Sequence, residues 1–190
     1  WFVNHYAGQN YIKDAHYKVA LCYWLNGNVN DAMAFFKEAR NKGKEATEAD
    51  KAAARSLADK ELPHVLLSKV RYFTDGGYYQ EPQKLLSSIA DKDLSGKRNQ
   101  VEYYYRKARL SHKTNQWDAA KLFYLQTIDS TGEENWYFAP NACLQLGYIY
   151  QAEGNREEAR RYFDKALGYK QHEYKNSIDS KAKSALARLR

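Results

Sequence analysis

Five histidines and two cysteines are the residues from which this chain could build a metal or nucleophilic site, and their spacing builds neither. His5, His16, His64, His112 and His172 stand singly, whereas a metal site on a helix needs ligands three or four positions apart on one face. Cys22 and Cys143 lie far apart in sequence. Each falls on the apolar side of an expected helix, so both read as small buried thiols, although spacing alone leaves a bridge between them open. The nearest approach to an acid–base pair is Glu102 with His112. Ten positions of helix hold those two about 15 Å apart at a rise of about 1.5 Å per residue. Neither a catalytic centre nor a metal or cofactor site is therefore expected. What remains is recognition chemistry: 17 Tyr, 7 Phe and 4 Trp, together with arginines, offer broad contact area and directional hydrogen bonds. Most of these rings are expected to fill space between helices, leaving a few for binding.

The formal charge of +7 raises the question of nucleic acid, so its location matters. From Arg156 to Arg190 ten Lys or Arg stand against five Asp or Glu, placing +5 of the total there. These charges interleave with Glu157, Glu158, Asp164 and Asp179 on helices that must also bury Phe163, Ala166, Ile178 and Leu186. A solvated helix face accounts for that pattern, and no dense basic stripe or known nucleic-acid module is visible. The longest apolar run, Val19 to Leu25, is far short of the roughly 18 residues a membrane-spanning helix requires.

The elements that must carry these side chains declare themselves by repetition. Ala20, Tyr23, Gly27, Ala32, Phe36 and Ala39 recur, residue type for residue type except at the first small position, as Gly147, Tyr150, Gly154, Ala159, Phe163 and Ala166. In both sets the offsets are three, seven, twelve, sixteen and nineteen from the first small residue. Small residues at those places let two antiparallel helices cross closely, and the glycine permits the turn between them. This scheme resembles the tetratricopeptide repeat, a unit of about 34 residues. The resemblance implies an all-α fold, a right-handed superhelical solenoid of helix hairpins, in which each unit buries its apolar face on the next.

On that basis residues 1–190 form a single array. The first unit runs from about 13 to 46, with a turn at Asn26-Gly27-Asn28. An insertion at about 47–61 is expected to form an extra helix, opened by Thr47 with Asp50 three positions on. The second unit, about 63–96, is the weakest match. Its turn is Asp75-Gly76-Gly77, and Pro82 stands where the family has Ala, so its second helix is expected to start near Glu81 and to be short. The third unit, about 101–134, keeps Ala108, Ala120 and Tyr124 but has Ser111, Asn115 and Thr127 where Tyr, Gly and Ala are typical. The fourth, about 140–173, is complete, and a capping helix at about 177–189 is expected to begin from Ser177. The chain opens at Trp1 with no initiator Met, and Trp1, Phe2 and Val3 look like the tail of a preceding helix. It is expected to be part of a longer protein, with possible self-association through the apolar Trp1, Phe2 and Tyr6.

The resemblance also implies where binding occurs. In the family the concave surface is lined by the first helix of each unit, at its second, fifth, ninth and twelfth positions. Carried over, the candidates are Tyr17 and Trp24 in the first unit and Arg71 in the second. The third unit supplies Tyr105, Arg109 and His112, and the fourth Asn141 and Tyr148. Tyr105, Arg109 and Tyr148 are the principal anchors. Tyr17 and Leu21 stand where a carboxylate clamp would need Lys and Asn, so that mode is not expected. Whether Tyr17, Trp24 and Tyr148 bind or only pack between units stays open in sequence. The leading reading is a protein–protein interaction scaffold that takes a peptide or protein segment, with no cofactor. Anionic-surface or nucleic-acid binding through the basic C-terminal helices is the second reading, and an enzyme the third.

Overall fold

The computed structural model describes residues 2–59, 62–90 and 93–189. Among these residues the chain is all helix, with eleven helices and no strand. It divides into two compact units, residues 1–68 and 69–190. The first contains α1 (Phe2–His5), α2 (Ile12–Leu25), α3 (Val29–Asn41) and α4 (Glu48–Ala58). The boundary falls inside α5 (Val65–Asp75). The second unit continues with α6 (Gln80–Ser88), α7 (Lys97–Lys113), α8 (Trp117–Thr131), α9 (Phe138–Ala152), α10 (Arg156–Gly168) and α11 (Lys175–Arg188). No helix among the described residues is long and apolar enough to cross a membrane.

One turn chemistry closes four helix hairpins. After α2, the amide of Gly27 donates to Trp24 O (3.1 Å) and that of Asn28 to Tyr23 O (3.0 Å). After α9, Gly154 donates to Gln151 O (3.1 Å) and Asn155 to Tyr150 O (2.9 Å). This is the paired bond pattern of a helix that ends in a left-handed residue. Gly27 and Gly154 sit at φ 82° and 79°, where a Cβ would be strained. The turn after α5 repeats it through Gly77 and Tyr78. After α7 the left-handed residue is Asn115, at φ 59°. Asn tolerates that conformation better than other non-glycine residues, so the departure from the repeat pattern at position 115 leaves the turn intact.

Small residues then set how closely the helices cross. In the first unit Ala20, Ala32 and Ala39 are fully buried around Phe36. In the second, Gly147 of α9 lies so near Phe163 of α10 that an added Cβ would stand 2.4 Å from the ring. Ala142, Cys143, Leu146, Ala159 and Ala166 complete that contact and join Val101, Ala108, Ala120 and Tyr124 in one continuous core. Ile178, Ala182 and Ala185 of α11 close its far side.

Local signals differ in how they are used. Thr47 caps α4 in a capping box with Asp50. Pro82 is the third residue of α6, where the backbone N–H would have had no partner within the helix, so it removes no bond. Two expectations are corrected. Ser177 is not the cap of α11: the helix starts at Lys175, after a left-handed Tyr174, and Ser177 lies within its first turn. Cys22 is exposed, and only Cys143 is buried. The reason is that α2 turns Ala20 and Leu21 to the core, which carries the next residue outward. Trp1 lies outside the described residues, and Phe2 and Tyr6 stack on each other at 4.6 Å.

Candidate functional site

Along α7 the residues at 102, 105, 106, 109 and 112 follow helical spacing, and the structure gives them different surroundings. Arg106 is 6% exposed. Its Nε and Nη2 donate to Glu102 Oε1 at 3.0 and 2.6 Å, and Nη2 also donates to the Tyr137 hydroxyl at 3.0 Å. Burial by itself would depress the guanidinium pKa, and Tyr137 and Glu102 outweigh it, holding Arg106 firmly charged. Tyr105 is also in the core. Its ring centre lies 5.4 to 6.2 Å from those of Phe138, Tyr137 and Tyr124, and burial raises its phenol pKa.

One turn further, Arg109 reaches from α7 across to α9. Its Nη1 donates to Gln145 Oε1 at 3.1 Å, and Gln145 Nε2 in turn donates to Asn141 Oδ1 at 3.2 Å. The Tyr124 phenol beside it helps to raise the guanidinium's pKa, and Asp75 Oδ1 lies 3.9 Å from its Nη2. His112 faces the same hydroxyl, with Nδ1 3.3 Å away. Burial, then Arg109 and Lys113, push the His112 pKa down to about 4, so the ring is neutral near neutral pH. Asp75 also pairs with Arg71, Nε to Oδ2 at 3.8 Å. The Arg71 guanidinium stands 5.7 Å over the Tyr72 ring.

The structure thus brings Arg71, Arg109 and Asn141 into one polar network, linked by Asp75 and Gln145, with His112 on the Tyr124 hydroxyl beside it. Tyr148 shares a face of α9 with Asn141 and Gln145 by spacing, and its ring meets Phe163 edge-on at 5.3 Å. Burial raises its phenol pKa. Tyr105 lies beneath this network rather than on it. Tyr17 and Trp24 belong to the first unit. Tyr17 packs at 5.8 Å on Phe36, and Trp24 Nε1 donates to Pro63 O at 2.9 Å.

Sequence reasoning missed Gln145, although it stands one helical turn after Asn141 and could have been found by that spacing. It also missed Arg106, for which no local signal existed. The network offers hydrogen-bond donors and acceptors fixed at the surface of two neighbouring helices. Among the described residues no group of three His, Cys, Asp or Glu could hold a metal ion.

A tetratricopeptide-repeat family model matches residues 140–173, and a second model of the same repeat matches residues 14–42. The curated proteins and the solved structures contain no match to the chain. Tetratricopeptide repeats generally mediate protein–protein interaction, and the family is typically non-catalytic. With α2–α3 and α9–α10 closing through the same turn and the same small-residue crossings, and with a family match on each, this chain contains tetratricopeptide repeats.

Proposed function

We propose that the chain is an interaction scaffold that binds a peptide or protein segment. The binding face is the one that α7 and α9 present within residues 69–190, which in tetratricopeptide arrays is the concave one. The observation that carries this reading is the tethering of Arg109. Gln145 accepts from its guanidinium at 3.1 Å and Asp75 lies 3.9 Å from it, while about a fifth of the side chain stays open to solvent. A cation already held in one rotamer loses little entropy when a partner docks, which favours affinity without any moving part. Arg71, Asn141 and Tyr148 flank it with a second cation, an amide and an aromatic edge. Arg and Tyr are the types most often found as binding anchors.

The test is affinity capture from a native lysate with the full chain, beside an Arg71→Glu, Tyr148→Ala variant. Circular dichroism must first show the same helix content and melting in both. A protein retained by the wild type, lost at least tenfold by the variant, and protecting α7 and α9 amides from hydrogen exchange is the expected result. Equal capture by both proteins would sink the assignment of this face.

A further inference from the structure

A cavity of about 220 Å³ opens between α6 and the α7–α8 hairpin, apart from the network on α7 and α9. It exists because α6 has nine residues against seventeen in α7, and so covers only part of the hairpin. Leu86, Leu110 and Phe123 supply its apolar lining, and Lys107 crosses its wall. The Lys107 ammonium lies 4.2 Å from the Phe123 ring centre and 5.2 Å from that of Tyr103. Rings hold a cation by its charge and leave its N–H groups unspent as ordinary donors. Among the described residues no carboxylate forms an ion pair with Lys107. Three of the neighbouring hydroxyls are committed elsewhere, and the fourth, on Ser111, carries no charge. Tyr103 donates to Leu86 O at 3.4 Å, Thr114 to Leu110 O at 3.0 Å and Ser87 to Gln83 O at 3.0 Å. The cavity therefore combines an apolar floor with one positive charge that nothing in its wall balances.

We infer that this cavity is a second binding site, for an acidic peptide segment. One bulky apolar side chain of the segment fills the space between Leu86, Leu110 and Phe123, and an adjacent Asp or Glu carboxylate takes the N–H groups of Lys107. Size selects this occupant. A space of about 220 Å³ suits one side chain and a carboxylate. It falls below the roughly 300–1,000 Å³ of pockets that enclose whole small ligands. Charge selects the acid, since an ion pair at a half-buried ammonium is screened less than one in open water. The site depends on the scaffold reading only in taking a peptide as its ligand, and it shares no residue with the α7–α9 face.

The experiment is a selection from a displayed library of random 12-residue peptides on the full chain. Recovered peptides are then titrated against the wild type, Lys107→Gln, Lys107→Arg, and the Arg71→Glu, Tyr148→Ala variant, all with matched helical melts. The expected peptides carry Asp or Glu beside a bulky apolar residue. They lose tenfold or more in affinity to Lys107→Gln, keep most of it with Lys107→Arg, and ignore the Arg71, Tyr148 changes. A library with no Lys107-dependent binder, or with Lys107-dependent binders that lack acidic residues, overturns the inference. Binders that depend on Arg71 and Tyr148 but not on Lys107 would uphold the α7–α9 face while eliminating this one.

Discussion

Arg106 is a charge placed inside a helical core, and its neighbours make that tolerable. Glu102 supplies the counter-charge one turn away on α7, and the Tyr137 hydroxyl accepts a further bond. Removing one member of such a pair is costly because the other is left charged and buried, whereas replacing both with apolar residues of similar volume can be neutral. Glu102→Gln is therefore expected to lower stability by about 3 kcal/mol, at the lower end of the range for broken buried pairs. A Glu102→Leu, Arg106→Met double variant should recover most of that loss. Urea denaturation followed by circular dichroism measures both. If the double variant is as unstable as the single one, the pair is doing more than neutralising itself. In sequence, Glu102 and Arg106 form an ordinary i, i+4 pair, the pattern of a solvated helix face. Their burial is decided by Tyr105, Tyr137 and Phe138, the last two of which arrive from 30 residues or more further along the chain.

Helix ends show the same division between local and distant causes. Asp50 completes the capping box of α4 with Thr47, and it also serves the N-terminus of α2. Its Oδ2 accepts from the Tyr11 amide at 2.9 Å and its Oδ1 from the Asp14 amide at 3.1 Å. Residue 11 is a left-handed Tyr that offers no capping side chain of its own. A carboxylate at that end also meets the positive pole of the helix. Asp50→Ala is expected to cost about 3 kcal/mol, since it leaves the Tyr11 and Asp14 amides without their acceptor as well as losing a charged group. Thr47→Ala, which disturbs only one cap, should cost about 1 kcal/mol. Thermal or urea melts compare the two, and equal costs would mean that the bonds to α2 contribute nothing. The pH response has a definite sign. Burial would raise the Asp50 pKa, but the Thr47 hydroxyl and the amides of Asp14, Tyr11 and Thr47 overcome it, so the pKa is lowered. Its stabilisation is present above the ordinary carboxylate pKa and is lost as pH falls through the depressed value. Thr47 and Asp50 were legible as a helix start because the signal spans three positions. The service to α2 was not, since it requires a helix end from 36 residues away.

For the molecule as a whole, the positive charge poses the test between its two binding readings. Around the basic C-terminal helices several cations are already answered. Arg161 pairs with Glu158 at 3.1 Å, Arg98 with Glu173 at 3.0 Å, and Lys175 with Asp179. A protein partner captured by the chain is expected to lose less than tenfold in affinity between 50 and 200 mM salt, measured by titration calorimetry. Nucleic acid neutralising six to ten phosphates would lose about 10³ to 10⁵ over that range. A loss of that size would move the binding site to the basic residues beyond Arg156.

The sequence by itself determined that the chain is all-α and that it carries tetratricopeptide repeats. Those properties rest on turn residues, small residues and apolar periodicity within some twenty positions, and short-range backbone geometry decides them. Only the tertiary structure decided what each polar or aromatic side chain became. Tyr105 went to the core, Cys22 to solvent, Arg106 into a buried pair and Arg109 into a network with Gln145. For Tyr105, Arg106 and Arg109 the deciding groups include residues from outside α7. Burial and hydrogen bonding are properties of the assembled surroundings, and one helix read alone shows only half of a contact made between helices.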